Sequence, residues 1–405
     1  MKSHREPSLN GFKYQRPFVA QIQKALNKNL PLLHVITGPR QVGKTTAAHQ
    51  VSQVWGGETV FAAADAPLPP GPEWVQAQWE IALSKCRANR KVLLVLDEVQ
   101  KVRGWSEVVK LLWDRNRLEK RPIKVLLLGS STLLMQKGMS ESLAGRFVTY
   151  RCGHWGYAEM KQAFKWNFEE WLFFGGYPGA AQLRRSEADW RRYISDSLIE
   201  TVLSRDVLQL STVAKPALLR HLFGLAVSHP AQILSYNKML GQLQDAGNTT
   251  TLAHYLHLLE TAFLVSGLDL FRVGRGRKRS GSPKLMFWNN ALVTAYLGGG
   301  FKQTRQDRAW WGRLVENAAG AHLLNGLDHM THQIYYWREK DQEVDFVVRT
   351  PKSLWAIEVK SGRDTARQGL GAFQRHYPEA RPFIVGTGGM DLEEFFVSDP
   401  GQLFV

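Results

Sequence analysis

Residues 38–45 read Gly38-Pro39-Arg40-Gln41-Val42-Gly43-Lys44-Thr45, a complete G-x-x-x-x-G-K-T phosphate loop. The run before it, Leu32-Leu33-His34-Val35-Ile36-Thr37, reads as a buried strand, and Thr45 to Val51 can open a helix. Gly38 and Gly43 let the backbone curl so that its N–H groups and the helix N-terminus face a polyphosphate. Pro39, Arg40, Gln41, Val42 and Thr46 complete the cradle. Lys44 can reach the β- and γ-phosphates, and the Thr45 hydroxyl can ligate Mg²⁺. A chance glycine-rich turn is the alternative, and the strand–loop–helix context opposes it. The expected ligand is a nucleoside triphosphate with Mg²⁺.

Working outward, Val92-Leu93-Leu94-Val95-Leu96 ends in Asp97-Glu98, as a central parallel strand with chemistry at its tip would. Fifty-three residues after Lys44, it reads as a Walker B strand. Asp97 is expected to hold Mg²⁺ and Glu98 to polarise the attacking water. A further apolar run, Ile123 to Leu128, ends in Gly129-Ser130-Ser131. Ser130 and Ser131 read either as sensors of the γ-phosphate or as helix caps. Thr59 to Asp65 reads as an intervening strand. Arg146 reads either as an arginine finger toward a neighbouring subunit or as a surface arginine.

With 405 residues the chain is long enough for two or three domains. Hydrophobic residues make up 44 %, enough for packed cores and against disorder. Fifty-two Lys and Arg against 36 Asp and Glu leave a charge of +16, which favours a polyanionic partner. Nucleic acid is the first candidate and an anionic membrane surface the second. No apolar run approaches the roughly 20 residues of a spanning helix, and Met1 to Pro7 lack a signal-peptide core. Cys86 and Cys152 suggest neither a disulfide framework nor a Cys-rich metal site. A cytoplasmic location is expected.

The chain resembles the prokaryotic AAA-type ATPases that carry a long C-terminal region. The resemblance runs through Gly38 to Thr45, Asp97-Glu98-Val99-Gln100, Gly129-Ser130-Ser131 and Leu143-Ala144-Gly145-Arg146. It continues in Ser204-Arg205-Asp206, Tyr255 to Glu260, Tyr336-Trp337-Arg338 and Glu343 to Phe346. A departure follows Arg146, where Cys152-Gly153-His154-Trp155-Gly156-Tyr157 replaces a stretch that usually contains proline. The resemblance implies ATP hydrolysis and self-assembly.

Residues 160–215 alternate charged and apolar positions at helical spacing and read as a lid or linker on the ATPase. Arg205 and Asp206 read as an inter-domain ion pair or a second nucleotide sensor. From Pro216, helices at Leu218 to Val227, Ser235 to Leu243 and Thr249 to Leu259 suit a helix-turn-helix, with Asn248, Thr249, Thr250 and His254 outward. Arg272 to Lys284 carries six cations and no acid, as the wing of a winged helix along a phosphate backbone would, or a solvated loop.

Glu343 to Val348 and Leu354 to Lys360 read as a hairpin turned at Thr350-Pro351-Lys352-Ser353. It would bring Asp345, Glu358 and Lys360 to one end of a sheet. Asp345 and Glu358 would hold a metal ion, and Lys360 would orient or deprotonate water. This resembles the PD-(D/E)XK nuclease superfamily, with Val344 where a proline often stands. The same resemblance makes Glu316 the upstream glutamate and Gln374 a later substrate-orienting position. A surface salt-bridge ladder, or the same fold without cleavage, are the competing readings.

The expected fold class is α/β. A P-loop NTPase doubly wound parallel sheet (1–155) leads to a helical lid (156–215). A winged-helix region (216–288) and an α/β nuclease-like domain (289–405) follow. The expected protein is a Mg²⁺-dependent ATPase associated with DNA, assembling through AAA-type interfaces and without a membrane partner. The alternative is a non-nucleolytic ATP-driven switch or scaffold that binds a protein or RNA.

Overall fold

Five short apolar runs, too short for helices and bounded by turn residues, become the parallel strands of the first of two units, Met1–Gly153 and His154–Val405. The computed structural model describes residues 14–28, 30–65, 68–86, 91–130, 132–207, 213–244, 247–273, 281–362 and 368–405.

The strands of the first unit are β1 (Leu33–Thr37), β2 (Glu58–Ala63), β3 (Val92–Asp97), β4 (Ile123–Gly129) and β5 (Phe147–Arg151). All pair in parallel, in the order β2-β3-β4-β1-β5. Helices Pro72–Ser84 and Trp105–Leu118 lay Val75, Trp79, Val109 and Trp113 against Leu94, Leu96 and Leu127. Leu93, Leu94, Val95 and Leu96 are 0 % exposed. Burial of that kind stabilises by about 1.5–3 kcal/mol per side chain, before the entropy of ordering is subtracted. That core holds the strand tips in place. Because β4 lies between β1 and β3, its C-terminal end sits between the phosphate loop and Asp97-Glu98, as a switch-point ligand site requires.

The second unit is built on one seven-stranded sheet, ordered β12-β11-β10-β9-β7-β8-β6. Its strands are β6 (Gln232–Ile233), β7 (Val265–Leu270), β8 (Lys284–Phe287), β9 (Gln333–Glu339), β10 (Gln342–Arg349), β11 (Leu354–Lys360) and β12 (Arg381–Gly386). The hairpin expected at Thr350 to Ser353 joins β10 to β11, with Phe346 opposite Ile357. Helices Pro216–Val227, Tyr236–Gln242 and Thr249–Thr261 precede β7. Ser235 caps the second through Lys238 N, and Asn248 caps the third through Thr251 N. Asp245 and Ala246 of the intervening turn lie outside the described residues.

The segments 156–215, 216–288 and 289–405 do not stand apart as separate bodies. Parallel pairing of Asp269 with Tyr335 and Leu270 with Tyr336 joins β7 to β9 across the expected boundary at 288. Helix Phe168–Phe174 packs on helices Ala291–Leu297 and Arg308–Gly326, so the expected lid shares this unit's core. Asn290 Nδ2 donates to the Leu172 and Leu314 carbonyls and fastens the same three helices. No helix among the described residues is long and apolar enough to cross a membrane.

Candidate functional site

The phosphate loop leaves β1 through Gly38, which lies so close to Cys152 that a Cβ there would meet the Cys152 carbonyl oxygen at 2.0 Å. Pro39 and Val42 are buried, Arg40 and Thr46 half-buried, and Gln41 is exposed with φ of 59°. Gly43 takes φ of 91° and opens helix Lys44–Gln53, where Ala47 N donates to the Gly43 carbonyl at 2.9 Å. Only glycine adopts that angle without strain. Lys44 is 6 % exposed, and its Nζ donates to the Gly38 carbonyl at 3.0 Å and the Pro39 carbonyl at 2.6 Å. Burial pulls its pKa below the ordinary lysine value, against the nearby Cys152, Glu98 and Asp97. The loop is thus folded around its own lysine, and the two carbonyls hold the ammonium where phosphate oxygens would take over.

Thr45 Oγ1 donates to Asp97 Oδ2 at 2.6 Å, so the loop and the Walker B strand meet side chain to side chain. Burial, and then the neighbouring Glu98, raise the Asp97 pKa, while the Thr45 hydrogen bond opposes them. A hydroxyl and a carboxylate side by side are hard oxygen donors of the kind Mg²⁺ selects, and the set fits that ion.

Glu98 follows in a left-handed conformation, φ 53°. Its Oε2 accepts from Gln100 Nε2 at 2.7 Å and from Ser130 Oγ at 2.9 Å. The structure therefore brings Lys44, Thr45, Asp97, Glu98 and Ser130 together at the C-terminal ends of the central strands. It adds Gln100, to which the sequence assigned no role. Only its place two residues after Glu98 hinted at one. Ser131 lies outside the described residues, as do the side chains of Arg205 and Asp206.

Arg146 belongs to the opposite end of the strands, just before β5. Its carbonyl accepts from Leu33 N at the start of β1, and its guanidinium clasps Asp114 through Nε at 2.8 Å and Nη2 at 3.0 Å. Within this chain it is remote from the phosphate loop.

A second group of charges lies in the other unit. Val359 N donates to Asp345 Oδ2 at 2.8 Å, so Asp345, Glu358 and Lys360 do share one end of the sheet. Lys360 Nζ, however, pairs with Glu358 Oε1 at 2.9 Å. The carboxylates that gather within 4.8 Å of one another are Glu316, Glu343 and Asp345. Asn317, 0 % exposed, fixes the rotation of helix Arg308–Gly326 that presents Glu316: it bonds both the N–H and the carbonyl of Phe287 on β8. Burial, then Asp345, push the Glu316 pKa up to about 8 and that of Glu358 up to about 7. Gln374 turns away, its Nε2 donating to the Ala380 carbonyl at 3.3 Å.

Lys284 departs most from expectation. Read from sequence it closes the cationic wing; in the structure it starts β8 and is 0 % exposed. Its Nζ lies 2.6 Å from Glu316 Oε1, 3.0 Å from Glu343 Oε1 and 3.5 Å from Asp345 Oδ1. Burial alone would lower its pKa, but the three carboxylates hold it above the ordinary lysine range. The wing residues 274–280 lie outside the described residues.

Residues 31–161 match a family model described as an AAA domain, and 165–303 and 311–397 match two described as domains of unknown function. An uncharacterised Mycobacterium tuberculosis protein is 28 % identical over 354 residues, 85 % of this chain and 74 % of that protein. An uncharacterised Haemophilus influenzae protein is 20 % identical, over 82 % of this chain and 83 % of its own. Among solved structures, the Walker-type ATPase PabY2304 of Pyrococcus abyssi aligns with a TM-score of 0.41 at 15 % identity, over 70 % of this chain and 96 % of that one. A Thermotoga maritima RuvB variant aligns at 0.32 and 16 % identity, over 62 % and 87 %. The domain match and the geometry of the loop agree: residues 31–161 have the P-loop fold and match an AAA domain.

Proposed function

We propose that this protein hydrolyses ATP with Mg²⁺ in its first unit and uses its second unit to engage DNA. The observation that carries the first part is the 2.6 Å bond between Thr45 and Asp97 beside a buried Lys44. Thr45 and Asp97 would hold the ion, whose chemistry is to neutralise charge on the β- and γ-phosphates. Lys44 exchanges the Gly38 and Pro39 carbonyls for phosphate oxygens. Glu98 takes the proton of the attacking water at its carboxylate, and Ser130 and Gln100 fix where that carboxylate points. Lys44→Ala tests this: nucleotide affinity and turnover should both collapse. Turnover at the parental rate would sink the reading.

DNA engagement is supported by the +16 charge and by the order helix, strand, helix, helix, strand, strand over 216–287. Asn237, Lys238, Thr250 and His254 are exposed on its second and third helices. Co-sedimentation with DNA, with and without ATP, should weaken steeply as salt rises. Self-assembly belongs to the same proposal, and there Arg146 must exchange Asp114 for a neighbouring copy's phosphate.

The second reading is a switch that binds without cleaving, and a specific observation favours it. Lys284 stands among the carboxylates that a nuclease would use for metal.

A further inference from the structure

Three carboxylates from two elements converge in the second unit. Glu316 comes from helix Arg308–Gly326, and Glu343 and Asp345 come from β10. One oxygen of each lies within 4.8 Å of the other two, the spacing of ligands around a single cation. At the centre stands the Lys284 ammonium, 2.6, 3.0 and 3.5 Å from the three. A further bond runs from Nζ to the Asp345 carbonyl at 3.2 Å, and the Phe346 ring lies 5.3 Å away on one side. An ammonium has three N–H donors, and here it meets four oxygen acceptors. The cation is therefore fully coordinated by the chain itself.

The backbone that carries Lys284 is fixed from both sides. Lys284 pairs with Ile233 on β6 and with Leu268 on β7. The remaining groups of a cleavage site are engaged in part, and Glu358 Oε2 is buried without a hydrogen-bond partner. Asp345 Oδ2 accepts from Val359 N, and Glu358 Oε1 is tied to Lys360. A divalent ion with ligands at about 2.0–2.6 Å needs the space that the ammonium fills, and two cations so close repel each other strongly. The donor set fits a metal only with Lys284 removed.

We propose that Lys284 is the resident cation of this cluster, replacing a divalent ion, so that the second unit does not hydrolyse phosphodiesters. The inference rests on the nuclease-like reading of β10 and β11 and turns it toward binding without cleavage. Lys284 supplies one positive charge at the position of the ion, but it has no exchangeable water to activate and no open coordination position for a phosphate oxygen. Its role is to neutralise the cluster and pin β8 to β10.

The test counts Mn²⁺ bound by the nucleotide-free full chain, from the electron paramagnetic resonance signal of the free ion. Four proteins are compared: the parent, Asp345→Asn, Lys284→Ala, and Lys284→Ala with Asp345→Asn. The parent and Asp345→Asn should bind equal numbers of ions. Lys284→Ala should gain one equivalent over the parent, and the double variant should lose it. Folding of each is checked by its melting transition. If Lys284→Ala does not fold, the parent against Asp345→Asn decides, together with nicking of supercoiled plasmid in Mn²⁺ by the parent. An ion that the parent binds and Asp345→Asn does not, or Asp345-dependent nicking, overturns the proposal. So does a folded Lys284→Ala that gains no ion. DNA retention that ignores salt would instead sink the DNA reading and leave the ion counts unchanged.

Discussion

The Ser130 hydroxyl donates to Glu98 Oε2 across 2.9 Å, linking the tip of β4 to the tip of β3. Gln100 Nε2 donates to the same oxygen at 2.7 Å and lies 3.4 Å from the Ser130 hydroxyl. One carboxylate oxygen thus carries two donors, which fix its direction.

Two substitutions separate chemistry from positioning. Glu98→Gln should leave nucleotide affinity intact and lower kcat by about 10²- to 10⁴-fold, the usual weight of a general base. Gln100→Ala should leave KM unchanged and lower kcat, since it removes a bond that orients Glu98 without touching the phosphate loop. Ser130→Ala added to Gln100→Ala should not be additive, because both act on one oxygen. Steady-state ATPase kinetics check all three. A Gln100→Ala enzyme that changes KM alone would contradict the arrangement.

Gly38→Ala should cost stability as well as nucleotide binding. The added methyl would meet the Cys152 carbonyl at 2.0 Å, and Cys152 N donates to the Thr37 carbonyl at 2.8 Å beside it. Backbone on both sides of the clash leaves no flexible side chain to yield. The expected loss is about 1–3 kcal/mol, the range of overpacked sites. Thermal melting without nucleotide reads it, and an unchanged melting temperature would show that the loop end can move.

The first unit was legible because parallel strands buried on both faces read as unbroken apolar runs. Val92 to Leu96 and Val125 to Leu128 are buried throughout, as their composition suggests. The loop was legible because its motif is local. Lys284 was not: it follows arginines in sequence, and its burial is decided by Glu343 and Asp345, 59 and 61 residues away. The single sheet of the second unit was hidden for a similar reason. Only two residue pairs, Asp269 with Tyr335 and Leu270 with Tyr336, join its halves, and neither strand carries a local sign of that partner.

Acid should weaken the second unit through His322. This ring packs 5.0 Å from Phe395 and 5.4 Å from Phe396, and its Nε2 faces the Ser398 carbonyl at 3.1 Å. The carbonyl can only accept, so Nε2 carries the proton of the neutral ring. Burial lowers its pKa to about 4, while the Ser398 and Phe395 carbonyls act in the other direction. In the unfolded chain the value is about 6.5. Below that pH the unfolded state takes up the proton first, so the stability present above pH about 6.5 is lost as pH falls toward about 4. The difference corresponds to roughly 3 kcal/mol at the acid end. His322→Gln retains a donor for Ser398 and removes the titration. Urea unfolding of the full chain at several values between pH 4 and 7 should therefore show a shallower pH slope for His322→Gln than for the parent. Equal slopes would mean that other groups govern the acid limb and that His322 takes up its proton alike in the folded and unfolded chain.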